Sequence, residues 1–316
     1  MFGTIMGLLI FVLVTALFGW LTRKAWGAGR AWIKWIGVIL AGLFTLIFAL
    51  LSVLGTVGTY KLFRSYNVPV PRITVDGTPE QIARGEHLAD VLCATCHSLD
   101  GEFPMTGGKN MSEDAGMPLG DLYAPNITPA GDIAEMSDAE LFRLIRTGVN
   151  EEGRATTMTA VMGPRSLSDE DTLAVIAFLR QSSAVEEEKP PFKPTVLLAV
   201  FVGAGLIPLD VPSSIDVVSA PPKAATVEYG EYVAAYMDCR GCHGSNLDGV
   251  VPPPYPPAPN IRPLLSTWTK DQFASNVQGH VSAPKPGDIM VWKYLARLDE
   301  VEFEALYLYL HYFTKQ

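Results

Sequence analysis

Cys93-Ala94-Thr95-Cys96-His97 and Cys239-Arg240-Gly241-Cys242-His243 together use every cysteine of the 316-residue chain. On a turn of helix this spacing puts two thiols along one edge and the following imidazole on the same side. The thiols can add to the two vinyl groups of a haem, and the histidine then reaches the iron as its proximal ligand, the pattern of c-type haem attachment. A zinc site would need further Cys or His at pairing distance, and the remaining histidines, His87, His280 and His311, are scattered. The expectation is two haem c groups (iron), held by Cys93, Cys96 and His97 and by Cys239, Cys242 and His243, with no disulfide.

The two halves of the chain repeat each other around these strings. Gly85-Glu86 and Gly230-Glu231 precede them, eight and nine residues before the first cysteine. Ala124-Pro125-Asn126-Ile127-Thr128-Pro129 recurs as Ala258-Pro259-Asn260-Ile261-Arg262-Pro263. Phe142 lies six before Gly148, as Phe273 does before Gly279, and Phe178 and Tyr309 each follow a leading Leu (167, 298) by 11 residues. Thr78, with Pro79 next and Gln81 three on, reads as the N-cap of a helix feeding the first string. Ser168 and Asp299 read as N-caps of the last helix of each half.

The repeat register selects the distal ligands. Electron carriers commonly place Met opposite His, which raises the reduction potential. After its string the second half has Met290, 11 beyond Gly279 and eight before Leu298; the first half has Met158, 10 beyond Gly148 and nine before Leu167. Metal ligation is therefore expected from His97, Met158, His243 and Met290. Met162 is the competing choice in the first half and His280 in the second. His87 and His311 read as surface or packing residues, and Met105, Met111 and Met117 as loop content.

The first 67 residues contain no Asp or Glu and six of the 24 basic residues, so the rest carries 18 basic against 33 acidic side chains. Such an acidic body argues against nucleic acid and for a neutral or basic partner surface. Gly3–Leu21 and 36–59 are apolar runs, each long enough to span a hydrocarbon core at about 20 residues. Between them lie Arg23, Lys24, Arg30 and Lys34 with Trp20, Trp26, Trp32 and Trp35. A basic, Trp-flanked loop marks the cytoplasmic interface. The reading is an uncleaved transmembrane hairpin in the cell (inner) membrane rather than a signal peptide, with everything past residue 60 on the periplasmic, extracytoplasmic side. Residues 195–209 form a third apolar stretch, roughly 22 Å as a helix. Both strings need the same side of the membrane, so 195–209 is read as interfacial, re-entrant, docked on another subunit, or a buried linker.

These residues resemble class I cytochrome c domains in a membrane-anchored diheme arrangement. Asn126-Ile127-Thr128-Pro129, Ser137-Asp138-Ala139-Glu140, Gly148-Val149, Gly153-Arg154, Leu167-Ser168-Asp169-Glu170-Asp171 and Met290-Val291-Trp292 resemble the cytochrome subunits of periplasmic dehydrogenases. The resemblance implies an all-α fold for the two haem domains, so the chain is expected to comprise an N-terminal two-helix transmembrane hairpin (1–67), a first domain (76–186), a linker with an interfacial apolar segment (187–225) and a second domain (226–316). It implies electron transfer rather than catalysis by this chain, as a subunit of a respiratory or photosynthetic complex passing electrons between a membrane or periplasmic donor and a mobile acceptor. The alternatives are the cytochrome subunit of a periplasmic dehydrogenase and a diheme peroxidase. The expected partners are the membrane, other complex subunits and a soluble or membrane redox protein.

Overall fold

The computed structural model describes residues 2–157, 164–249, 258–283, 290 and 292–314. Two long helices open the chain, α1 (Phe2–Trp26) and α2 (Ala31–Phe63), 25 and 33 residues long. Both are long and apolar enough to cross a membrane. They pack antiparallel through ring contacts such as Phe18–Phe44, with centroids 4.9 Å apart. At their connection the Lys24 and Lys34 ammonium groups lie 4.5 Å and 4.2 Å from the Trp20 and Trp26 rings.

A first helical unit follows: α3 (Pro79–Leu92), α4 (Ala94–His97), α5 (Met111–Asp114), α6 (Asp138–Thr147) and α7 (Asp169–Gln181). Its caps follow from short polar side chains that accept from the backbone two or three residues on. Thr78 Oγ1 accepts from Gln81 N at 3.2 Å and Ser168 Oγ from Asp171 N at 3.1 Å. Ser137 and Glu140 form a capping box at α6, which ends at Gly148 in the left-handed region, φ 70°. A two-residue ribbon joins β1 (Gly120–Asp121) to β2 (Lys193–Pro194).

Next comes α8 (Val196–Gly203). It lies against α2 and the start of α1, a docking within the same chain that no apolar pattern singles out. Backbone contact is close because both sides are glycine. A Cβ on Gly58 would fall 1.7 Å from Ala199 O, and one on Gly203 would fall 1.9 Å from Leu54 O. Thr4 Oγ1 on α1 donates to Pro194 O at 2.7 Å. Leu198, Ala199 and Val202 are buried with Leu62, Leu119 and Leu122, so α8 welds the C-terminal end of α2 to the first unit. At about 12 Å it is too short to cross.

A second helical unit contains α9 (Val227–Tyr236), α10 (Cys239–His243), α11 (Arg262–Thr267), α12 (Lys270–Ser282), α13 (Trp292–Leu295) and α14 (Glu300–Phe313). Thr269 and Asp299 form capping boxes with Gln272 and Glu302. In each unit the first and last helices cross at a glycine. A Cβ on Gly85 would lie 1.8 Å from Ala174 O, and one on Gly230 would lie 1.9 Å from Ala305 O. Phe178 and Tyr309 stand beside the two crossings. One continuous apolar core runs through both units.

Candidate haem sites

Each C-x-x-C-H string sits in a short helix launched from the end of a glycine-crossed helix. Cys93 closes α3 through its N–H to Ala89 O and receives Cys96 N at 3.2 Å and His97 N at 3.0 Å on its own carbonyl. In the second unit Asp238 turns the chain in the left-handed region, φ 55°, and its carbonyl accepts from Gly241 N and Cys242 N. Both turns put the thiols three residues apart on one side, with the imidazole one residue later.

The histidines are oriented alike. His97 Nδ1 lies 2.9 Å from Pro125 O, and His243 Nδ1 lies 3.0 Å from Pro259 O. A carbonyl only accepts, so Nδ1 carries the proton in both rings. Nε2 then keeps its lone pair, the form that ligates a metal. Burial lowers the His97 pKa, which also favours the neutral ring. Burial pushes the Cys93 and Cys239 thiols up to about 12.

The accepting prolines belong to the repeated Ala-Pro-Asn-Ile segments, and a glycine holds each segment in place. Gly107 N donates to His97 O at 2.7 Å and Gly249 N to His243 O at 2.9 Å. Both have positive φ, 74° and 94°, and both lie against the Ala-Pro backbone they support. Ile127 N bonds Met105 O, as Ile261 N bonds Leu247 O. This equivalence is hidden in the sequence because Gly107 lies ten residues past its histidine and Gly249 only six. Met105, read from sequence as loop content, is a core residue at 2% exposure.

Met158 and Met162 lie outside the described residues. Met290 is half-buried, packed against the core and two residues before Trp292. Trp292 stacks on His280, with ring centroids 4.3 Å apart. His280 Nδ1 lies 2.9 Å from Asn276 O. His311 is a packing residue, bonded to Leu265 O and stacked on Tyr307. His87 is different: its Nε2 lies 2.5 Å from Glu302 Oε2, across the boundary between the units. His87, Asp299 and Glu302 could present three ligand atoms to a metal ion. Their carboxylates are instead taken by cations, Glu302 by Arg84 at 2.5 Å and Asp299 by Lys223.

These residues fit covalently held haem: two thiols, a neutral imidazole with its other nitrogen fixed, and an apolar surround. Residues 82–183 match the cytochrome c family. The chain is similar to a nicotinate dehydrogenase component from Pseudomonas putida, 31% identical over 180 residues. It is also similar to the gluconate 2-dehydrogenase cytochrome c subunit of Pantoea cypripedii, 28% over 172 residues, and to the fructose dehydrogenase cytochrome subunit of Gluconobacter japonicus, 30% over 177. The matches cover 52%, 51% and 52% of this chain but only 14%, 37% and 34% of those proteins. The chain therefore contains a cytochrome c domain, which implies haem c and is an electron-transfer module rather than a catalytic one.

Proposed function

We propose that the chain is a membrane-anchored electron carrier with two haem c groups. Cys93, Cys96 and His97 hold one, and Cys239, Cys242 and His243 the other. Met158 and Met290 complete the coordination, and α1 and α2 anchor the chain. The observation that carries this reading is the recurrence of one constellation. In both units a C-x-x-C-H turn, its histidine proton fixed on the proline carbonyl of an Ala-Pro-Asn-Ile segment, follows a helix crossed at glycine.

When bound, the haem supplies one-electron exchange between Fe(III) and Fe(II). The protein's part is to present His97 and His243 through Nε2, to shield the ring faces with apolar side chains, and to close the sixth positions with sulfur. Closure withholds an open site from substrate, which separates this reading from a diheme peroxidase. The hairpin keeps the units within reach of membrane partners and raises their effective concentration. Carbon monoxide tests closure. The reduced protein is expected to bind none at rest, whereas rapid binding at one haem favours the peroxidase.

The relatives' names favour one partnership over a general respiratory or photosynthetic one. All three belong to dehydrogenases, and two are called cytochrome subunits. A dehydrogenase catalytic subunit outside the cytoplasm would supply electrons and a membrane acceptor would take them. Gentle detergent extraction followed by identification of co-purifying chains decides this. A dehydrogenase subunit supports it; a reaction-centre or quinol-oxidising subunit overturns it.

A further inference from the structure

The second unit lays α13 against the segment that follows the first haem string, and two cations hold it there. Arg297 Nη1 donates to Asp90 Oδ1 at 2.7 Å and to Asp90 O at 3.0 Å, and Arg297 Nη2 donates to Glu102 Oε1 at 2.6 Å. Lys293 Nζ lies 2.8 Å from Glu102 Oε1 and 2.8 Å from Asp100 O. Gly101 leaves room for the approach: a Cβ there would fall 3.1 Å from the Tyr294 hydroxyl and 3.3 Å from Lys293 Nζ.

The acceptors flank the first string. Asp90 stands three residues before Cys93, and Asp100 and Glu102 stand three and five after His97. Among the described residues the ion pairs of Asp90 and Glu102 are with Lys293 and Arg297, so the first unit gives neither carboxylate a cation of its own. The Arg297 side chain is only 13% exposed, which limits the screening of its charge by water and salt. Lys293 and Arg297 also hold the Glu102 carboxyl below its usual range. A bare carboxylate near a haem iron favours Fe(III) over Fe(II), because the oxidised centre carries one more positive charge. A cation set against that carboxylate cancels the effect.

We propose that Lys293 and Arg297 are positioning residues for the first haem. They dock the second unit on its attachment segment and, by neutralising Asp90 and Glu102, hold its reduction potential up. The first haem is thus tuned across the unit boundary, and the first unit without its neighbour would be a weaker oxidant. The proposal rests on the reading that the first string carries a haem.

The test is spectroelectrochemical titration of the detergent-solubilised full chain carrying C96S. There the first haem keeps one thioether, through Cys93, and its free vinyl group moves its α band to longer wavelength, so the two haems titrate separately. K293M/R297M removes every contact described above together with both charges, and is expected to lower the first haem's midpoint. Adding D90N and E102Q removes the bared carboxylates and is expected to bring that midpoint back. R297K keeps the charge and is expected to hold the midpoint closer to the parent's than R297M does. An unmoved first midpoint in K293M/R297M, or a shift confined to the second haem, overturns the proposal. So does a fall that D90N and E102Q leave in place, because loosened docking rather than charge would then be its cause. A C96S protein with no displaced band has no haem on the first string, which defeats the underlying reading and the proposal with it. A displaced band with an unmoved midpoint defeats the proposal alone.

Discussion

His87 Nε2 sits 2.5 Å from Glu302 Oε2, and the same contact recurs in mirror order where Tyr232 OH donates to Asp171 Oδ2 at 2.6 Å. His87 is two residues past Gly85 and Tyr232 two past Gly230, while Asp171 and Glu302 each lie four past a leading Leu. The units therefore meet about a local two-fold relation, first helix of one against last helix of the other. Arg84 closes the centre, binding Asp171 through Nε at 2.9 Å and Nη2 at 2.8 Å, and Glu302 at 2.5 Å.

That network makes stability acid-sensitive. Burial alone would raise the Glu302 carboxyl, but the hydrogen bonds and charges of His87 and Arg84 outweigh it and bring the pKa from 4.5 down to about 2. A depressed carboxyl stabilises the fold fully above its unfolded value and loses that contribution as pH falls from 4.5 through about 2. Glu302→Gln is expected to cost on the order of 3 kcal/mol at neutral pH. The gap to the parent protein should narrow as pH falls from about 4.5 and close only below about pH 2, as read from denaturant midpoints at a series of pH values.

The glycine crossings predict a contrast between three similar substitutions. Gly85→Ala and Gly230→Ala each drive a Cβ into a facing carbonyl and are expected to cost about 1–3 kcal/mol. Gly279, also helical, has nothing within 4 Å of an added Cβ. Gly279→Ala is expected to be neutral or to stabilise by about 0.5–1 kcal/mol. Thermal unfolding of the three variants checks the order, and equal losses would contradict it.

Docking of α8 on the hairpin rests on Gly58. Gly58→Ala is expected to lift α8 from α2 and to speed amide exchange across 196–203, leaving 227–236 unaffected. Hydrogen exchange read by mass spectrometry makes that comparison.

Removing residues 1–67 would uncover Leu198, Ala199 and Val202, which α2 now covers. The truncated protein is therefore expected to keep its spectrum yet still need detergent to stay monodisperse. Replacing Leu198 and Val202 by serine in that truncated form should relieve the requirement. Size-exclusion chromatography with and without detergent reads both outcomes.

What the sequence disclosed was local. Thr78, Ser168 and Asp299 cap the helices expected of them, because a cap is a bond between neighbours in the chain. The C-x-x-C-H strings and the Ala-Pro-Asn-Ile repeats also stand in plain order. What escaped was tertiary. His87 looks like an ordinary helix-face residue because its partner lies 215 positions away. Residues 195–209 look ambiguous because their docking depends on backbone approach at Gly58 and Gly203. The match between Gly107 and Gly249 is masked by loops of unequal length.

Every role proposed for the chain depends on two haems joined to this polypeptide by thioether bonds. Intact mass of the denatured, acid-acetone-extracted protein measures it directly. The expected value is the polypeptide mass plus two haems, falling to one when Cys93 and Cys96 or Cys239 and Cys242 are replaced by serine. A parent protein that retains one haem or none would contradict it.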